Sequence, residues 1–297
     1  MVSLGRVFFI GLGLIGGSLA KVMQKQALAD HIEAFSLNQI DVDLALADNT
    51  IDSKQSDLIK GIRQADLIIL AVPTLAISDY VQIIADHQQP SAIITDVASV
   101  KGAVADMVKE ALGHLPPNWV LGHPIAGSEK SGYRAAKTDL FQYHKVILTP
   151  AVDTDNTALQ TVRSLWQQAK AEVEIMDIVT HDHIFAATSH LPHLLAFILV
   201  DTLQGLDMET DIFRFAAGGF RDATRIAGGN PTMWHDIMLT NDQAILSVLQ
   251  KVQINLTRLS KAIADKDSAT IATCFKNAKS ARDHFQSLIE QPMDKNQ

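Results

Sequence analysis

Val7-Phe8-Phe9-Ile10-Gly11-Leu12-Gly13-Leu14-Ile15-Gly16-Gly17-Ser18 is the stretch whose reading decides the fold of this chain. The apolar, β-forming run Val7 to Ile10 predicts a buried parallel strand. It ends in Gly11-x-Gly13-x-x-Gly16, and Ser18 to Met23 continues at helical spacing. Strand, glycine turn and helix in that order are the setting a dinucleotide pyrophosphate needs. Gly11 permits the tight turn, Gly13 lets the backbone approach the phosphates, and Gly16 lets helix and strand pack. The helix N-terminus adds free N–H groups and the positive end of its dipole. Leu14 and Ile15 share this turn and are candidate cofactor contacts. A strand–turn–helix that binds nothing is the competing reading.

Outward from that stretch, composition sets bounds. With 297 residues, the chain has room for one large domain or two ordinary ones. A hydrophobic content of 47% and a charged content of 20% describe a globular protein with ample core. The formal charge of −8 argues against a nucleic-acid partner, so an acidic substrate must be held by a few local cations. A single cysteine, Cys274, excludes an internal disulfide framework and a cysteine zinc site, and fits the cytoplasm. The chain enters a strand almost at once, so no signal peptide is expected. The apolar stretch from Ile184 to Val200 carries Ser189, His190, Pro192 and His193. It is read as a buried helix rather than a membrane span.

Alternating strands and helices continue to about Ile178. Strands are expected at 32–36, 65–73, 92–97, 119–122, 145–149 and 173–176, with helices between them, one of them capped by Thr74. That alternation predicts an α/β fold with a parallel, doubly wound sheet. From Thr180 only helices are expected, over 181–204, 236–264 and 268–289. The expected domains are therefore 1–178, binding dinucleotide, and 179–297, helical. The helical half is too apolar for its own surface, which points to pairing with a second copy.

Three further stretches carry chemistry. Asp96-Val97-Ala98-Ser99-Val100-Lys101 lies at the carboxyl end of a strand, where ligands sit in open α/β sheets. Ser99 either caps the next helix or offers its hydroxyl to a ligand, and the two roles are compatible. Gly122-His123-Pro124-Ile125-Ala126-Gly127-Ser128-Glu129 again follows a strand. His123 there is placed for acid–base work near neutral pH, or is a loop histidine bonded to backbone. In the helical half stand Ser189-His190-Leu191-Pro192-His193 and Gly218-Gly219-Phe220-Arg221-Asp222-Ala223-Thr224-Arg225. His190 and His193 have a metal-pair spacing with no supporting carboxylates, so no metal is expected. Arg225 forms a surface pair with Asp222 or stands partly buried, awaiting an anion. Trp234 is read as core.

These five motifs, in this order, closely resemble the prephenate/arogenate dehydrogenase family of tyrosine biosynthesis, over nearly the whole chain. The resemblance implies a Rossmann domain, a helical dimerisation domain forming a homodimer, and an active site between them. It implies prephenate or arogenate as substrate and NAD or NADP as cofactor. By the resemblance His123 is the catalytic histidine that accepts the ring hydroxyl's hydrogen bond, and Ser99 orients it beside the nicotinamide. Arg225 binds a substrate carboxylate, with His193 and Ser128 as further pocket residues. Gly11, Gly13, Leu14, Ile15, Gly16, Ser36, Val72, Pro73 and Ser99 are the expected cofactor contacts. The family's NAD-preferring members end the second strand on an acidic residue; here that position is Ser36, followed by Leu37-Asn38-Gln39. Two rivals remain: a 3-hydroxy-acid dehydrogenase of similar build, and a dinucleotide-sensing module without turnover. The first is expected to use a lysine near the His190 to Arg225 motifs, where the sequence has none.

Overall fold

Alternate residues of the first strand face opposite ways, and both faces are buried. In the computed structural model, which describes residues 3–128, 130–206 and 211–290, Val7 and Phe9 join one apolar cluster and Phe8 and Ile10 another. This is the period-two geometry of a strand covered on both sides by helices. Each of the two phenylalanines contributes roughly 1.5–3 kcal/mol by leaving water.

The order is β1 (Arg6–Ile10), α1 (Leu14–Gln26), β2 (His31–Phe35), α2 (Gln39–Ala47), β3 (Ser53–Lys54) and α3 (Leu58–Gln64). There follow β4 (Leu67–Leu70), α4 (Ser78–His87), β5 (Ile93–Asp96), α5 (Lys101–Leu112) and β6 (Trp119–Val120). The six strands pair in parallel in the order β3-β2-β1-β4-β5-β6. The order reverses between β1 and β4, so the crevice for a ligand opens at their carboxyl ends. Thr74 is not a cap: it begins a 3₁₀ turn, Thr74–Ile77, whose N-cap is Pro73. The Leu75 N–H of that turn is taken by the Asp236 carboxylate instead.

The sheet then ends where the sequence reads as one strand. β6 pairs with β5, but β7 (Gly122–Pro124) turns away to run antiparallel to β8 (Lys145–Leu148). After α6 (Asn156–Gln168), β9 (Glu172–Ile175) joins β8 in parallel, completing a separate three-stranded sheet. Leu121 is the hinge residue between the two sheets, and His123 follows it.

Helices take over with α7 (Ile178–Phe185), capped by the Asp177 carboxylate on Thr180 N–H. A π turn, Ala186–His190, leads into α8 (Leu191–Gln204). Pro192 lacks the N–H that a regular α turn would use there. Then come α9 (Gly218–Thr224), α10 (Pro231–Thr240), α11 (Asp242–Ala264) and α12 (Ser268–Glu290). By packing, the chain divides into one compact unit through Ile245 and another from Leu246. The first unit has a third apolar cluster, in which Val100 of the sheet region meets Ala186, Trp234 and Ile237.

The apolar stretch 178–204 is not a buried helix of this chain. It is long and apolar enough to cross a membrane by length and composition alone, yet only 22% of its apolar window is buried. Leu195, Ile198 and Leu199 stand exposed.

Candidate active site

The glycine turn is built as a cradle. Gly11 has φ of +90°, and a Cβ there would meet the Ala71 carbonyl oxygen at 2.4 Å. A Cβ on Gly16 would meet the Gly11 carbonyl oxygen at 2.8 Å, so α1 packs on the turn only because both are glycine. Gly13 is different, since a Cβ there would meet nothing within 4 Å. It is the N-cap of α1, whose first turn has no side-chain cap. Open space above uncapped N–H groups fits a pyrophosphate. Leu14 and Ile15 begin α1, and Val72 and Pro73 lie beyond the end of β4, with Val72 beside Gly11.

Ser36 follows the last residue of β2, and its Oγ accepts from Asn38 N–H at 3.2 Å. Asn38 is already committed. Its side chain accepts from Ile40 N–H and donates to Asp41, capping α2.

His123 is buried, at 8% exposure, on β7. Burial pushes its pKa well below the usual value, with His181, Lys101 and His190 pushing the same way. It is therefore neutral at pH 7, as a proton acceptor must be. Its Nδ1 lies 2.9 Å from Nε2 of His181, and Phe185 packs edge-on against its ring at 5.0 Å. Nδ1 of His181 lies 2.7 Å from the Asp182 carboxylate.

Asp182 also serves the start of α5. Lys101 N–H and Gly102 N–H donate to its two oxygens at 2.9 and 2.8 Å. Ser99 is consequently no cap: the N-cap is Val100, and the helix end is satisfied by a carboxylate from α7. The Ser99 hydroxyl makes no hydrogen bond among the described residues, so its ligand-facing role stays open. Burial raises Asp182, but bonds from His181, Lys101 and Gly102 outweigh it, and its pKa falls. Lys101 itself is wholly buried, pairs with Asp96, and donates to the Gly122 carbonyl.

On the helical side, His190 Nδ1 accepts from the Asn241 amide at 3.0 Å, and burial lowers its pKa to about 4. His193 Nδ1 donates to the Ser189 carbonyl at 2.9 Å, leaving Nε2 as an acceptor. Its ring stacks on Trp234 at 3.7 Å between centroids, and Trp234 is core, as its sequence context suggests. Burial lowers the His193 pKa, and the positive charge of Arg225 adds to the effect. Arg225 is exposed, contrary to the partly buried arginine expected from its apolar neighbours. It opens a 3₁₀ turn, Arg225–Gly228, none of whose residues is fully buried. Asp222 pairs with Arg221 rather than Arg225. Ser128 is exposed and accepts from Lys130 N–H.

The structure thus joins His123 to two residues that the sequence reading passed over, His181 and Asp182. A His–Asp pair inside an apolar helix was the available signal.

Comparison with known proteins gives a consistent picture. Residues 19–175 match the family model described as prephenate dehydrogenase, nucleotide-binding domain. Residues 177–277 match prephenate dehydrogenase, dimerization domain. The chain is 36% identical to a cyclohexadienyl dehydrogenase of Zymomonas mobilis, over 93% of this chain and 94% of that one. It is 34% identical to a prephenate dehydrogenase of Bacillus subtilis, over 93% of this chain and 75% of that one. Among solved structures, it resembles prephenate dehydrogenase from A. aeolicus in complex with hydroxyphenyl propionate and NAD+. There the TM-score is 0.89, with 32% identity over 96% of this chain and 99% of that one.

Proposed function

The chain belongs to the prephenate dehydrogenase family, and on that premise we propose that it oxidatively decarboxylates prephenate, arogenate or both. The products are 4-hydroxyphenylpyruvate and tyrosine respectively. The observation that carries this reading is a neutral, buried His123 at the carboxyl edge of the sheet, held in a hydrogen-bonded chain.

Gly11, Gly13, Leu14, Ile15, Gly16, Ser36, Val72, Pro73 and Ser99 would hold NAD or NADP, and the uncapped start of α1 supports that assignment. The bound nicotinamide supplies the hydride acceptor. His123 Nε2 takes the proton of the C4 hydroxyl as that carbon gives up its hydride. Loss of carbon dioxide then aromatises the ring, a step that asks little of the protein. Arg225 holds a substrate carboxylate through charge-assisted hydrogen bonds, with Ser128 and His193 beside it. The influence of Arg225 on His193 supports their sharing one pocket.

We place the functional boundary near Ile178, supported by the meeting of the two family models between 175 and 177. The partner is a second copy of this chain, through residues 179–297. Exposed Leu199, Phe215, Ile254 and Phe275 support a covered apolar surface there. The single cysteine and negative charge support a cytoplasmic enzyme without a nucleic-acid partner.

One assay tests the reading: formation of reduced nicotinamide with prephenate and with arogenate, each with NAD and with NADP. Turnover with at least one pairing is expected. Dinucleotide binding without turnover in all four would leave the sensing module standing in its place.

A further inference from the structure

His123 has two ring nitrogens, and a base must present a bare one to the substrate. Which nitrogen is bare depends on what holds the other. His181 is fully buried, and its Nδ1 faces the ionised Asp182 carboxylate at 2.7 Å. A neutral imidazole beside a carboxylate donates, so the proton of His181 sits on Nδ1 and its Nε2 is an acceptor. That Nε2 lies 2.9 Å from His123 Nδ1, which must then be the donor. Asp182 is itself fixed, since its oxygens receive Lys101 N–H and Gly102 N–H at the start of α5. Phe185 closes the ring edges of both histidines, at 5.0 Å and 4.6 Å between centroids.

We propose that Asp182 and His181 are positioning residues that lock His123 as its Nδ1–H tautomer, leave Nε2 bare for the substrate hydroxyl, and stabilise the imidazolium formed during turnover. The proposal rests on the reading of His123 as the base. One proton moves, from the hydroxyl to His123 Nε2, while the protons on His123 Nδ1 and His181 Nδ1 stay in place. The positive charge that appears on His123 faces Asp182 across one neutral ring. The other ionisable groups around it are His181, Lys101 with its partner Asp96, and His190. Lys101 opposes the new charge, and Asp182 offsets it.

Three substitutions and two readouts test this in the full chain. The first readout is the nitrogen-15 spectrum of histidine-labelled protein without substrate, with the His123 signals identified by their loss in His123→Asn. Wild type is expected to show Nδ1 protonated and Nε2 bare at neutral pH. His181→Phe removes the acceptor, and both tautomers are expected to appear. The second readout is steady-state kinetics. His181→Phe should lower kcat at least about tenfold, by analogy with other oriented catalytic histidines, while substrate KM stays within about twofold. His181→Gln restores an acceptor at the same reach and should recover most of that loss. Asp182→Asn can keep the bonds from His181 and Lys101 N–H on its one amide oxygen, gives up the bond from Gly102 N–H, and removes the charge. Protonated His123 then loses support, and the acid limb of kcat/KM moves to lower pH.

A merely structural role predicts no rescue by His181→Gln and no movement of the limb; either result overturns the proposal, as does an unchanged tautomer in His181→Phe. If His181→Phe does not fold, the limb in Asp182→Asn decides. A locked tautomer in a wild type that turns over no substrate would sink the functional reading and leave the tautomer assignment intact.

Discussion

The ammonium of Lys101 donates to the carbonyl oxygen of Gly122 at 2.6 Å, one residue before His123. The same nitrogen pairs with Asp96, and both side chains are fully buried. Three elements therefore meet at one charge: the end of β5, the start of α5 and the start of β7. Burial pulls the Lys101 pKa down, and Asp96 opposes that pull. The pair is worth having only while both members are present.

Lys101→Met leaves the Asp96 carboxylate buried with Ala98 N–H as its remaining partner. A stability loss of about 3–5 kcal/mol is expected by urea unfolding. Adding Asp96→Asn to that variant should recover part of the loss. A loss below about 1 kcal/mol for Lys101→Met alone would show that the buried pair is not what joins these elements.

Much of this arrangement was legible in the sequence, because it is local. Gly11, Gly13 and Gly16 act within one turn, and the alternation of short apolar runs with helices needs no distant partner. The switch of sheets at Leu121 was not legible. Trp119 to Gly122 reads as one run, and only the pairing of Trp119 with Ile94 and of Gly122 with Leu148 divides it. The cap of α5 was not legible for the same reason: Ser99 stands at the right place in sequence for one of its two readings, but the carboxylate that serves Lys101 N–H, Asp182, arrives from 81 residues away. Arg225 differs: of its two readings, surface or partly buried, the structure shows the exposed one, since apolar neighbours in sequence do not by themselves bury a side chain.

Acid should destabilise the fold through His190. Its folded pKa is about 4, against about 6.5 unfolded, so the unfolded chain takes up the proton first as pH falls. Stability is full above the unfolded value and is lost between about pH 6.5 and about pH 4, by about 3 kcal/mol for this group. His190→Gln should make the decline across that window shallower, the remainder coming from the lowered His123, His181 and His193. An equally steep decline in the variant would assign the acid sensitivity elsewhere. The lowered Asp182 acts only at more acid pH, below the usual carboxylate value.

Arg225→Ala should raise the substrate KM about tenfold or more, the loss of a charge-assisted bond worth about 1.5–3 kcal/mol. Dinucleotide affinity should stay unchanged. The His193 pKa should rise, because the nearby positive charge is gone. Weaker dinucleotide binding of similar size would show that Arg225 serves the fold instead.

Ser36→Asp should turn the enzyme toward NAD. A carboxylate after β2 accepts ribose hydroxyls and repels a 2′-phosphate, and Ser36 with Asn38 supplies neither charge. Wild type is expected to use both cofactors, and the variant to lose NADP use about tenfold more than NAD use, or about 1.4 kcal/mol of discrimination. An unchanged ratio would remove Ser36 from the ribose site.

The central claim is that His123 is the base of a prephenate or arogenate dehydrogenase, and its most direct test is the turnover of His123→Asn beside wild type. Expected is a fall in kcat of about 10²–10⁴-fold with little change in substrate affinity, the usual effect of losing a positioned base. A His123→Asn enzyme that turns over at close to the wild-type rate would contradict it.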